Sequence, residues 1–158
     1  MTTHILAAVG LYAGTFIVCF LAGLIPLINA ELFLVVVALA AVSSPAPLPA
    51  IVLLAALGQM AAKVVLYYAA LGMLELPSGK RKAKIEKARA RIEKWRHKPK
   101  MVLAVSATLG LPPFYLVSLA AGALKIRLRT FFAIGMAGRI VRFAVIIASA
   151  WLWKSPGS

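Results

Sequence analysis

The chain is 158 residues long, 63% hydrophobic, with a mean hydropathy of +0.94 and a formal net charge of +14 from 18 Lys plus Arg against 4 acids. A soluble domain averages about 45–50% apolar residues, and a chain of this length cannot bury so large an excess from water, so lipid must cover it. The one cysteine, Cys19, lies inside an apolar run, which excludes a disulfide framework or a cysteine metal site and leaves it to act as a small hydrophobe.

In chain order, the first apolar run covers residues 5–22 and predicts a membrane helix; Met1-Thr2-Thr3-His4 before it supplies no basic region of the kind that opens a cleaved signal peptide. The second run, 24–42, follows Gly23 directly and contains Pro26 and Asn29, so it reads as a broken, re-entrant hairpin with its turn at those residues, carrying Glu31. Ser43-Ser44-Pro45-Ala46-Pro47-Leu48-Pro49 is an exposed connection. A third run, 50–74, predicts a transmembrane helix whose polar stripe Gln59, Lys63 and Tyr67 recurs every four residues.

Between Lys80 and Lys100 stand eleven basic residues and two acids, a local net of +9. Ile85, Ala88, Ile92 and Trp95 fall on one helical stripe within this block, which predicts a cytoplasmic amphipathic helix over 78–100 lying on anionic head groups. Nucleic acid is not the expected partner, since aromatic platforms are not interleaved with these cations and attachment to apolar segments accounts for the charge.

The fourth run, 101–124, is interrupted by Gly110-Leu111-Pro112-Pro113, and the fifth, 130–153, is a second transmembrane helix. Were all five runs to cross, the +9 block and the basic loop Lys125-Ile126-Arg127-Leu128-Arg129 would face opposite sides, against the positive-inside rule. A fourth run that turns at Gly110, Pro112 and Pro113 and leaves where it entered puts both basic loops in the cytoplasm. The fold class expected is therefore an all-α polytopic membrane protein in two inverted halves, each a broken re-entrant hairpin followed by a transmembrane helix. Short matches between the halves agree: Gly23-Leu24-Ile25-Pro26 with Gly110-Leu111-Pro112-Pro113, and Lys63-Val64-Val65-Leu66-Tyr67 with Arg139-Ile140-Val141-Arg142-Phe143.

Charges at membrane depth are the candidate site. Lys63 lies about 16–20 Å from either end of its run, and Arg139 and Arg142 about 13 and 18 Å into theirs, at 1.5 Å per residue. The two arginines share a face, with Gly135 and Gly138 leaving room there for a backbone or a ligand. A cation at the centre of a membrane helix costs about 2.5–3.5 kcal/mol, so these three need an answering group. Glu31 is the one acid inside an apolar run; paired with a single cation it still leaves positive charge for an anion such as a lipid phosphate. The alternatives are that the cations snorkel or bond carbonyl ends and only hold helices together, and that Glu31 is a proton carrier or a plain structural counter-ion. His4 and His97 lie outside the apolar runs and receive no role.

Pro26 to Glu31, the Gly-Leu-Pro-Pro turn with Ala121-Gly122-Ala123 after it, and Gly138-Arg139-Ile140-Val141-Arg142-Phe143 together resemble the DedA family, also called SNARE-associated or VTT-domain proteins, and the small size is similar to its YqaA-like branch. The resemblance implies two opposed re-entrant hairpins, a bacterial inner-membrane location, and transport or scrambling of phospholipids or polyprenyl phosphates, with ion coupling in some members. By position, Glu31 matches the acid of the first hairpin, and Arg139 and Arg142 the basic residues of the glycine-arginine motif. Where many members carry a second acid, this chain has Lys63, which favours passive translocation or a different ion over a proton-coupling pair. The function expected is a membrane translocase or scramblase of phosphate-bearing lipids, not an enzyme, with no cofactor. Its partners are an anionic lipid substrate and the surrounding membrane lipids, and assembly as a homo-oligomer is compatible with this. The competing functions are an ion-coupled small-solute transporter and a non-transporting membrane scaffold.

Overall fold

The computed structural model describes residues 2–25, 27–73, 90 and 98–154. The amphipathic helix expected over 78–100 and the turn residue Pro26 therefore lie outside the described residues, except for 90 and 98–100. All described regular structure is helical: α1 (Thr2–Leu24), α2 (Ala30–Val36, continued by a π-helical stretch Val37–Ala41), α3 (Leu48–Met73), α4 (Pro99–Leu109), α5 (Phe114–Ala123) and α6 (Leu128–Lys154). Three of them, over Ile5–Leu24, Leu48–Gly72 and Leu128–Lys154, are long and apolar enough to cross a membrane, so the chain is a multi-pass membrane protein.

Lipid-facing surface is plain on α1, where Ile5, Leu6, Val9, Ile17 and Leu21 are all exposed. Two buried hydroxyls are answered inside their own helix, as the absence of water in a bilayer core favours: Thr15 Oγ1 donates to the Leu11 carbonyl at 2.7 Å and Ser118 Oγ to the Phe114 carbonyl at 2.6 Å.

The chain divides into two compact units, residues 1–62 with 139–158, and residues 63–138, so that α3 and α6 each contribute a part to both. In the first unit, α1 meets α3 through glycine. A Cβ on Gly58 would sit 2.5 Å from the Phe16 carbonyl oxygen, and one on Gly23 2.5 Å from the Ala62 Cβ. Backbones come this close in a membrane because small residues let van der Waals contact replace the missing hydrophobic drive. Leu34 of α2, Ile51 and Met60 of α3 and Phe143 and Ile147 of α6 fill the interior.

The second unit is organised by rings. Phe131 of α6 stacks on Phe114 of α5 at 6.0 Å and on Tyr67 of α3 at 5.5 Å, while the Tyr67 hydroxyl donates to the Ile126 carbonyl at 2.6 Å. A Cβ on Gly122 would collide with the Tyr67 carbonyl, and one on Gly138 would lie 2.5 Å from the Ala107 Cβ. The approach that small residues on α6 permit is thus made, at Gly138, by the backbone of α4; Gly135 is buried on the same helix.

One element differs from the sequence expectation. The sequence expectation puts a whole broken hairpin within 24–42, whereas residues 30–41 of that stretch are one continuous helical piece, α2 with its π turns, which contacts α1. The reason is the position of the cap: Asn29 ends the turn and starts a helix, and nothing between Ala30 and Ala41 breaks it again. In the second half α4 begins at Pro99, two residues before the apolar run, because proline suits the first helical position.

Candidate functional site: an ion pair at the middle of a membrane helix

Asn29, extended at φ −92 and ψ 100, turns its Oδ1 onto the N–H groups of Glu31 (2.9 Å) and Leu32 (3.2 Å). This answers two of the donors that a helix start leaves open, and it puts Glu31 in the first turn, where the positive end of the helix dipole favours a carboxylate. Arg142 of α6 reaches that carboxylate. Its Nε donates to Glu31 Oε1 at 2.6 Å, and its Nη2 contacts the same oxygen.

Arg142 stands fourteen residues after the start of α6 and twelve before its end, so the pair lies about 18–21 Å from either end of that helix. Arg139 is three residues earlier on the same helix, 8% exposed, its guanidinium carbon 5.8 Å from the Phe143 ring centroid. It is close enough to feel the charge of both Arg142 and Glu31. The pair itself is more open: the Arg142 and Glu31 side chains keep 21% and 37% of their surface. One guanidinium is enclosed and one is reachable, and the three groups together sum to a single positive charge.

A second tether joins the same two helices. Lys154, the last residue of α6, donates from Nζ to the Val42 carbonyl at 2.8 Å and lies 5.3 Å from the Trp151 ring centroid. Glu31 to Val42 is eleven residues and Arg142 to Lys154 is twelve, so α2 runs parallel to the second half of α6 and is bonded to it at mid-depth and at the end.

Lys63 belongs to the other unit. It is 5% exposed, and its Nζ lies 5.7 Å from the ring of Tyr115, the second residue of α5. Gln59 and Tyr67, its neighbours on the α3 stripe, are buried as well. The turn before α5 is built from the expected residues. Gly110 closes α4 in the left-handed region at φ 78, its N–H donating to the Ser106 carbonyl at 2.9 Å, a backbone that glycine adopts without steric cost. The Leu111–Pro112 peptide is cis, Ser106 Oγ donates to the Pro112 carbonyl, and the Pro113 carbonyl receives the N–H of Leu116 at 2.9 Å.

Glu31, Arg139 and Arg142 are thus brought together, Lys63 sits with Tyr115, and Asn29 caps a helix. Sequence reasoning did not single out Tyr115, Ser106, Gly58 or the Lys154–Val42 bond. Only the last had a local signal, a cation in the final turn of a membrane helix beside two tryptophans. Among the described residues no group of three His, Cys, Asp or Glu side chains is placed to hold a metal ion.

An all-helical, multi-pass membrane protein with an ion pair at mid-span is the class these elements define. The VTT domain description matches residues 25–152, most of the chain, and the protein belongs to the VTT-domain family, within the wider DedA/VTT group. No curated protein and no solved structure matches it.

Proposed function

We propose that the protein moves phosphate-bearing lipids, phospholipid or polyprenyl phosphate, across a bacterial inner membrane. The observation that carries this reading is the Glu31–Arg142 pair at the middle of α6 with the buried Arg139 one turn away. Two guanidiniums and one carboxylate sum to a net positive charge, which favours an anion beside them. Arginine forks match phosphate oxygens, and the low dielectric strengthens the match. The phosphate is received by Arg139 and Arg142 while Glu31 competes for the same cations, and release follows when the carboxylate pairs again. Lys63 is the corresponding mid-helix cation of the first half. No bond is made or broken, so the protein is a translocase and not an enzyme.

The topology that goes with this reading has two re-entrant hairpins and an inverted repeat. In its support, α4 and α5, at 11 and 10 residues, each cover about 15–17 Å, half of a bilayer core of about 30 Å. A fold-back there keeps both basic loops in the cytoplasm. Its size and glycine-arginine motif resemble those of the small YqaA-like members of the group, and this reading takes the chain as one of them. Single cysteines at Lys98 and Arg127, with Cys19 replaced, are expected to react with an impermeant reagent only from the cytoplasmic face. Arg127 is preferred to Lys125, whose φ of 52 disfavours substitution. Labelling of the two positions from opposite faces would remove the re-entrant segment and the inverted repeat with it.

The function itself is tested in liposomes. Purified protein is expected to accelerate flipping of labelled phosphatidylglycerol and of a polyprenyl phosphate, and to leave a neutral diacylglycerol at the protein-free rate. Solute uptake without lipid movement would point instead to a small-solute transporter, and neither activity to a scaffold.

A further inference from the structure

The bond between Lys154 and Val42 serves no obvious need of α6. Lys154 is the last residue of α6, and a lysine at the end of a membrane helix ordinarily reaches outward to head groups. Here its ammonium turns back 2.8 Å onto a carbonyl of the chain leaving α2, while Leu152 and Trp153 beside it stay 68% and 85% exposed. The acceptor belongs to the segment that carries Glu31. Between the two tethers α2 loosens into π turns over Val37–Ala41, a form that recurs at functional sites. The position of Glu31 along Arg142 is therefore set partly by a hydrogen bond at the far end of the same pair of helices.

That bond is the exchangeable one. Its acceptor is a neutral carbonyl, whereas a lipid phosphate offers an anionic oxygen, which adds the attraction of opposite charges to the hydrogen bond the ammonium makes in either case. Trp153 and Leu152 present apolar surface at the depth where a lipid glycerol and the first methylenes lie, with the Trp151 ring against the ammonium. A free phosphate ion would use the lysine but not the exposed tryptophan and leucine.

Resting on the reading that the protein handles phosphate-bearing lipids, we infer that Lys154, Trp153 and Leu152 form a surface site for an anionic phospholipid. Its phosphate takes the Lys154 ammonium from the Val42 carbonyl and so frees the end of α2. Lys154 is in this sense a positioning residue for Glu31, and the arriving lipid is the signal that loosens the mid-depth pair.

The test is a distance measurement that needs no transport. Spin labels are placed on cysteines introduced at Leu39 and Ala148, both outside the proposed site, with Cys19 replaced by serine, in the full chain in maltoside micelles, which contain no phosphate. A single short separation is expected, with a second, longer population growing as phosphatidylglycerol is added. Diacylglycerol, or inorganic phosphate at the same concentration, is expected to leave the distribution unchanged. Lys154→Met should show the longer population without lipid and no further response, and Lys154→Arg, which can donate to either acceptor, should behave as the native chain. A native distribution indifferent to phosphatidylglycerol, a response that survives in Lys154→Met, or an equal response to inorganic phosphate would each overturn the inference. A chain that shows the expected shift but flips no lipid in liposomes keeps the surface site and loses the translocase reading.

Discussion

Arg139→Ala is expected to reduce phosphatidylglycerol flipping by about ten- to a hundredfold, since hydrogen bonds to a charged group contribute about 1.5–3 kcal/mol and each 1.4 kcal/mol is a factor of ten. The same change is expected to leave membrane insertion and thermal stability close to native. Arg139 is almost fully enclosed, and removing a cation from the middle of a membrane helix recovers about 2.5–3.5 kcal/mol, which offsets the packing lost with its side chain. A purely structural arginine makes the opposite prediction: folding suffers and whatever protein remains is fully active. Arg139→Lys separates charge from shape. It keeps the cation but loses the planar fork, so activity between native and Arg139→Ala is expected. Measuring flipping and unfolding on the same preparations decides between the two roles.

Gly122→Ala is expected to destabilise the protein by about 1–3 kcal/mol, and Gly122→Leu by more, because overpacking a close contact forces backbone shifts. The obstacle at Gly122 is the Tyr67 carbonyl, main chain that cannot rotate aside, with the Ala70 Cβ 3.1 Å from the same point. Gly10→Ala and Gly14→Ala are the controls: nothing lies within 4 Å of a Cβ at either. Alanine there is expected to be neutral or to stabilise α1 slightly, by about 0.5–1 kcal/mol, through its better helix propensity. Thermal unfolding in detergent reads all four variants, and a Gly122→Ala midpoint equal to that of the Gly10 and Gly14 variants would refute the close crossing of α3 and α5.

The candidate site was partly legible from residue order alone. Glu31, Arg139 and Arg142 stand out because charge is rare in apolar runs and its cost there makes each instance informative. Which cation Glu31 meets was not legible, because Glu31 and Arg142 are 111 positions apart and no local pattern selects one partner over another. Lys63 matched Arg139 in the short repeat yet lies in the other unit beside Tyr115. An aromatic residue in an apolar run resembles every other one until a cation is found against its ring.

Residue order by itself determined the membrane class, the three long apolar helices, the break at Gly110 to Pro113 and the depth of each buried charge. These depend on hydropathy, on helical rise and on the backbone limits of glycine and proline, all of which act over a few neighbouring residues. Tertiary structure alone decided the rest: that residues 30–41 form one continuous helical piece, that Gly58 and Gly122 lie at close helix crossings, that Arg142 takes Glu31, and that Lys154 ties the end of α2. In lipid, where no hydrophobic drive selects one helix face over another, such choices fall to shape and to a few polar bonds between distant residues.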